Sequence, residues 1–240
     1  MVAGHFATSL VAKRLVPAGH LAFYLVIAQL PDVLWHVFHF AGLEPTGPAN
    51  PMEASLDNMH AHMTYSHDLL PTVGWMVLAV AIGRALFGVW KPGLAGAALI
   101  VVHGLCDALS GHPHFVFGPD TAQIGLGLYG TAPYVALALE AVFTLAVMAW
   151  VIVRDTREGV RRSRATLAVW AAVFGGGILS MVPIADLSLV ELTGIAPIEA
   201  MSGTLVPGLV VMYASMVAAL LWAGARPTTR VGEPTVETPS

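Results

Sequence analysis

Long apolar stretches constrain this chain more than any other feature of its sequence. There are six of them, at residues 19–41, 69–89, 92–110, 131–153, 165–185 and 204–224. A helix of roughly 20 apolar residues crosses the hydrocarbon core of a bilayer. Only 11% of the 240 residues are charged, whereas soluble domains carry about 25%. The sequence therefore predicts an all-α integral membrane bundle of about six transmembrane helices.

The two ends of the chain differ from these stretches. Residues 2–16 are apolar but too short to span a bilayer, so a short N-terminal helix that is only partly inserted is expected. Residues 225–240 are polar and rich in Pro and Thr, which is typical of a disordered tail. Residues 1–224 are thus expected to form a single transmembrane domain.

If six helices cross the membrane in alternating directions, all the basic residues fall on the same side of it. They are Lys13, Arg14, Arg84, Lys91, Arg154, Arg157, Arg161, Arg162, Arg164, Arg226 and Arg230. The loops on the other side carry acidic residues instead. Because Lys and Arg concentrate in cytoplasmic loops, we expect the basic side to be cytoplasmic in the inner membrane of a bacterium. Both termini are then expected at or near the cytoplasmic side.

Ionisable residues inside or beside the spans mark the expected functional site, because burying charge in hydrocarbon is costly. They are His5, Asp32, His36, His67, Asp68, His103, Asp107 and Glu140. With a helical rise of about 1.5 Å per residue, six of them fall between mid-membrane and the non-cytoplasmic surface. One cluster that opens to that surface is expected.

His103 and Asp107 are four residues apart and share one helical face. An imidazole and a carboxylate so placed suit a divalent metal, with zinc favoured and manganese as the alternative. A buried hydrogen-bonded pair between helices is the competing interpretation. Asp32 follows Pro31 at an expected helix break, and His36 lies one turn further on.

Four motifs follow one another in the first 120 residues. They are Gly4-His5, Leu30-Pro31-Asp32, His62-Met63-Thr64-Tyr65-Ser66-His67-Asp68 and His103-Gly104-Leu105-Cys106-Asp107. Together they resemble the bacterial membrane-bound metal-dependent hydrolases, a family distantly similar to zinc phospholipase C and the P1-type nucleases. The resemblance implies metal ligands at His5, Asp32, His67, His103 and Asp107, and a ligand or base at His62. Three positions depart from the family pattern: Leu34, Met63 and Asp68 replace an acidic residue, an arginine and a serine.

The predicted function is a metal-dependent hydrolase that uses a metal-activated water on a lipid-linked or phosphoester substrate near the outer leaflet. Expected metal ligands are His5, Asp32, His36, His67, His103 and Asp107. The general base or acid is expected among His62, Asp68 and Glu140. Residues 1–120 would carry the site, and 121–224 would add helices without an assigned role.

Membrane lipid is the expected partner, whereas the net charge of -4 argues against nucleic acid. Two other functions stay open. One is a transporter of metal ions or protons, and the other is a haem-b electron carrier with His36 and His103 as axial ligands. The single cysteine, Cys106, excludes a disulfide within the chain.

Overall fold

The helices coincide with the apolar stretches and form the predicted membrane bundle. The computed structural model describes residues 1–226 and 228–230. Within these residues, five helical segments are long and apolar enough to cross a membrane, and a bent pair of helices provides a sixth. The α-helices are α1 (Val2–Leu15), α2 (Leu21–Ala28), α3 (Leu30–Phe40), α4 (Leu69–Phe87), α5 (Trp90–Ser110), α6 (Leu128–Thr131), α7 (Pro133–Arg157), α8 (Arg164–Trp170), α9 (Gly177–Met181), α10 (Leu189–Thr193) and α11 (Leu205–Gly224).

Shorter elements complete the described chain. A π-helix, Ala171–Gly176, joins α8 to α9 into one spanning segment, and a 3-10 turn covers Glu199–Met201. Short strands pair antiparallel in three two-stranded sheets: β1 (Thr46–Gly47) with β2 (His60–Ala61), β3 (His114–Phe115) with β4 (Gln123–Ile124), and β5 (Val160–Arg161) with β6 (Thr229–Arg230). The loops that carry β1 to β4 lie beside the spanning helices.

The N-terminal helix lies in the middle of the bundle. α1 contacts α2, α5 and α7, and its Phe6 and Ala7 are fully buried. One apolar cluster joins it to α7, α8 and α11, and a second joins its end to α2, α4 and α5. A helix that is apolar all round is stable only where every face is covered. This short helix is therefore held by its neighbours rather than by lipid.

The first predicted span is broken rather than continuous over 19–41. α2 and α3 meet at Gln29 with a bend of 60°. Pro31 lies in the first turn of α3, where a missing N–H costs no helical hydrogen bond. The proline thus permits a new helix to start inside the membrane and places Asp32 in its first turn.

Glycines fix how α4 and α5 pack. Gly88, with φ of +70°, ends α4 in the left-handed region, which glycine adopts without strain. A Cβ atom added to Gly83 would lie 2.4 Å from the Gly93 Cα atom. Only glycine therefore allows the two backbones to touch near the turn that connects them.

The two chain ends differ in how they relate to the sequence prediction. Met1 lies buried beside Asp107 in the bundle interior, whereas an N-terminus at or near the cytoplasmic side was expected. Thr229 and Arg230 pair with Val160 and Arg161 of the basic loop, and the disordered tail over 225–240 stays a prediction. Residues 227 and 231–240 lie outside the described residues.

The basic side of the sequence corresponds to one end of the bundle, which we call the basic end. Arg14 at the end of α1 contacts Asp155 at 2.7 Å and Glu158 at 2.8 Å, both near the end of α7. Arg162 also pairs with Asp155. These contacts tie the ends of two helices together through opposite charges.

Candidate metal centre

Four side chains from three segments converge in the interior at a site that we call the centre. Asp32 comes from the first turn of α3, His67 from just before α4, and His103 and Asp107 from one face of α5. His103 Nε2 lies 3.0 Å from Asp107 Oδ2 and 3.4 Å from His67 Nε2. His67 Nε2 lies 3.3 Å from Asp32 Oδ1. All four residues are at least nine-tenths buried.

The protonation of His103 follows from its second nitrogen. His103 Nδ1 lies 2.8 Å from the Ala28 carbonyl oxygen, and a carbonyl only accepts, so Nδ1 carries the proton. In the neutral ring, Nε2 then directs its lone pair at Asp107 and His67, which also offer lone pairs. These facing lone pairs repel unless a proton or a metal ion lies among them.

The ligand atoms of Asp32, His67 and His103 have the spacing of a site for one metal ion. The distances between the two histidine Nε2 atoms, and from each of them to the Asp32 and Asp107 oxygens, run from 3.0 to 3.9 Å. Ligand atoms bound at about 2.1 Å to one ion lie about 3.0 Å apart at 90° and about 3.4 Å apart at the tetrahedral angle. Two imidazoles and two carboxylates also neutralise a divalent cation. The residues present therefore fit the metal that the sequence predicts.

His5 lies against the same group from α1. Its Nε2 is 3.1 Å from Asp107 Oδ1, and its ring stacks on His103 with centroids 3.8 Å apart. The Met1 amine donates to the same Asp107 oxygen at 2.9 Å. His5, His103 and Asp107 form a second set with metal-ligand spacing that shares His103 with the first. The centre is thus bounded on this side by α1.

Groups behind the ligands hold them in place. Tyr213 on α11 donates its hydroxyl to Asp32 Oδ2 at 2.9 Å, which leaves Oδ1 for the centre. Ser66 Oγ lies 2.8 Å from His67 Nδ1. The buried Glu44 carboxylate accepts the Tyr65 and Ser66 N–H groups at 2.6 and 3.0 Å. Such partners orient ligands and tune their basicity.

The remaining predicted site residues lie outside the group of converging ligands. His36 is buried against Trp35 and Tyr213, with no hydrogen-bond partner found for its Nε2 among the described residues. His62 is exposed in the loop before α4. The structure thus brings together five of the predicted residues, and their chemical roles stay predictions.

Two of the predicted acids anchor backbone instead. Asp68 accepts the N–H groups of Phe115 and Gly118 at 2.9 and 2.6 Å, which fastens the β3–β4 hairpin to the start of α4. Glu140 Oε1 accepts the Ala3 N–H at 2.8 Å, near the start of α1, and Oε2 accepts the Tyr129 hydroxyl at 3.3 Å. Because these carboxylate oxygens are committed to N–H and O–H donors, the geometry favours a positioning role over general acid or base chemistry.

Two histidines of the loop after α5 line a small cavity beside the centre. His112 and His114 border it together with Asp32, His67 and Asp107. Burial lowers the pKa of His112 to about 4 and that of His114 to about 3. Both rings are therefore neutral at pH 7, and the His114 ring stacks on His67 with centroids 5.1 Å apart.

Sequence reasoning missed several groups that shape the centre. The Tyr213 hydroxyl lies in the sixth span, far from the membrane interfaces where tyrosine is enriched, and that position was a usable signal. Glu44 belongs to one of the acidic loops on the non-basic side, and the sequence assigns it no further role. The Ala28 carbonyl carries no side-chain signal at all, because any residue supplies it.

Comparisons with known proteins give a partial relationship. The chain is 36% identical over 89 residues to a protein of Metapseudomonas resinovorans named "Probable disulfide formation protein". The alignment covers 34% of this chain and 62% of that relative, so the chain spans less than two thirds of the relative's length. No family model matches the chain. No solved structure matches it either.

These findings correct the functional prediction. The relative is named for disulfide formation, an oxidation, and no hydrolase family matches. The resemblance to the membrane-bound metal-dependent hydrolases is therefore wrong, and so are the hydrolase and zinc assignments that rested on it. The comparison remains consistent with an enzyme of the membrane.

Proposed function

We propose that the chain is a membrane metalloenzyme of the oxidoreductase class. Asp32, His67 and His103 would hold one divalent transition metal beside Asp107, and that metal would supply the redox chemistry. One observation supports this proposal most directly. His103 Nε2 lies 3.0 Å from Asp107 Oδ2, while Nδ1 of the same ring donates to the Ala28 carbonyl. Buried lone pairs so placed repel unless a proton or a metal ion lies among them, and the metal-ligand spacing of the set favours the metal.

Two further observations support an oxidoreductase. Two-histidine, one-carboxylate sets are typical of redox-active non-haem iron sites, and both ligand sets of the centre contain one. The chain has a single cysteine, Cys106, so no disulfide within it takes up electrons. If the chain shares the oxidative role that its relative's name states, the metal is the group suited to it.

The placement of the centre agrees with a site that faces the non-cytoplasmic side. The basic end is assigned to the cytoplasm because it carries the lysines and arginines, and the bacterial inner membrane is the proposed location. Asp107 lies 17 residues beyond the start of α5 at Trp90, hence about 25 Å along the helix. This depth supports the proposal that the centre lies nearer to the outer surface.

The other two functions are less well supported by the geometry. His103 Nε2, the atom that would bind haem iron, lies 3.0 Å from Asp107, which leaves no room for a porphyrin at that atom. Between the centre and the basic end, α5 buries Leu99 and Ile100, and α2 buries Leu25. These apolar residues interrupt a polar path across the bundle.

Elemental analysis combined with a redox titration tests the proposal. The protein, purified in detergent without added metal, is expected to contain about one equivalent of a first-row transition metal. His103→Ala and Asp107→Ala should each lose that metal. The ion should change oxidation state between ferricyanide and dithionite, as followed by electron paramagnetic resonance.

Two surface variants provide matched controls. His20→Ala and Asp120→Ala remove exposed residues of the same types, and both should keep the full metal content. Metal-free wild-type protein would overturn the metal centre. A bound metal that is redox-silent in the titration would overturn the oxidoreductase class while leaving the metal centre intact.

A further inference from the structure

An apolar groove of about 200 Å³ lies between α4 and α5 and ends at the centre. Its inner end is formed by the His67 and His103 side chains. Its walls are mainly apolar and include Leu69, Val73, Met76, Val101, Gly104 and Leu105. No lysine, arginine or carboxylate lines it among the described residues. The groove therefore joins an apolar surface to two ligand histidines.

The mouth of the groove faces the hydrocarbon of the bilayer. Val73 is 49% exposed, Val101 40% and Leu105 60%, and all three lie on spanning helices. Exposed apolar side chains at such positions contact lipid. At the other end of the same helix pair, Gly83 and Gly93 bring the backbones into contact. The gap between α4 and α5 therefore lies only at the end of the helix pair that is close to the centre.

We propose that the groove admits the hydrocarbon chain of a membrane amphiphile whose small polar head reaches His67 and His103. This inference rests on the proposed function and assigns its substrate class. A cavity of about 150 Å³ accommodates one benzene ring, so this groove takes roughly seven methylene groups. A partner helix, about 10 Å across, is too wide for it.

Space for the head adjoins the groove. A second cavity of about 80 Å³ is lined by Asp32, Asp107 and His112, and His67 and His114 border both cavities. Methionine and leucine side chains also line this second cavity, but unlike the groove it contains two carboxylates and the Tyr213 hydroxyl. An amphiphile that lies across both would bury its chain among apolar side chains and present a polar group to the centre.

Gly104 offers a way to block the groove without touching a ligand. It lines the groove, and a Cβ atom added there would meet nothing within 4 Å. Gly74 on α4 is also open, with nothing within 4 Å, but it does not line the groove. Gly104→Phe and Gly74→Phe therefore form a matched pair of added aromatic rings in apolar helices.

Photolabelling in lipid vesicles tests the proposal. A fatty acid with a diazirine in mid-chain serves as the probe, and labelled peptides are identified by mass spectrometry. Wild-type protein should be labelled preferentially at Val73, Met76 and Val101. Gly104→Phe should reduce that labelling by about tenfold, because even two displaced methylene groups weaken binding that much. Gly74→Phe should leave it unchanged.

Two outcomes would overturn the inference. One is labelling spread evenly over all lipid-facing helices, and the other is groove labelling that survives Gly104→Phe. If Gly104→Phe does not fold, Val73→Trp at the groove and Val77→Trp outside it repeat the comparison, since both valines are exposed on α4. Metal content is measured on the same wild-type sample. Groove labelling of metal-free protein would then separate failure of the centre from failure of the groove.

Discussion

The molecule buries charge in two places, and the two differ in how that charge is balanced. At the basic end, Asp155 is 4% exposed and pairs with Arg14 and Arg162. At the centre, Asp32 and Asp107 face each other across two histidines, and no lysine or arginine side chain pairs with either among the described residues. Among the described residues, the positive group next to these carboxylates is the Met1 amine, which pairs with Asp107.

This difference separates a structural charge cluster from a binding site. Buried ions are tolerated when opposite charges compensate them on the spot, and the basic end meets that condition with the chain's own arginines. The centre presents carboxylates and histidine lone pairs in excess of its cations. A site of this kind is balanced when protons or a metal ion lie among those groups.

Replacing Asp155, the buried carboxylate at the basic end, should have the largest effect on stability. Asp155→Ala leaves two partly buried arginines without this partner, which should cost about 3 kcal/mol of unfolding free energy. Thermal unfolding in detergent measures the change. The metal content should not change, because the centre is not involved.

Asp120→Ala, at an exposed position, is the control and should be near wild type. A loss of bound metal in folded Asp155→Ala protein would show that the two clusters are coupled. The contrast between them would then fail.

A group behind the ligands should give an intermediate effect. Tyr213→Phe removes the hydroxyl that donates to Asp32 Oδ2 at 2.9 Å, so metal affinity should fall by about tenfold. Competition with a chelator of known affinity measures it. Tyr134→Phe is matched, because its hydroxyl donates to Asp186 at 2.8 Å on the exposed surface. Equal affinities in the two variants would mean that Tyr213 does not support the centre.

The smallest effect is expected at Glu140, which the sequence placed among the catalytic candidates. Glu140→Gln weakens a charge-assisted bond to the Ala3 N–H, so stability should fall by about 1 kcal/mol. Metal content and redox behaviour should be unchanged. Thermal unfolding and elemental analysis check both, with the exposed Glu53→Gln as control. A loss of metal would place Glu140 with the ligands instead.

Hydropathy was sufficient to predict the membrane bundle, because span length is set by bilayer thickness. It did not reveal that residues 2–15 form the central helix, since an apolar segment has the same composition whether protein or lipid covers it. The break at Pro31 was expected, but the 60° bend depends on how α2 and α3 pack against their neighbours.

The candidate site was predictable where residue spacing fixes the helical face of a side chain as well as its depth in the membrane. His103 and Asp107, four residues apart, had to share one face of a helix. Asp68 and Glu140 were selected by position in the chain alone, which does not tell where a side chain points. The contacts of Tyr213 and the Ala28 carbonyl depend on tertiary packing, which no local pattern encodes.

The bend between α2 and α3 also has a chemical consequence. In a straight helix the Ala28 carbonyl would accept from the Asp32 N–H four residues later, whereas at the bend it accepts from His103. The interrupted helix therefore selects the tautomer of a histidine on another helix. Any change that straightens the segment would release that ring to exchange its proton between nitrogens, without altering a single ligand.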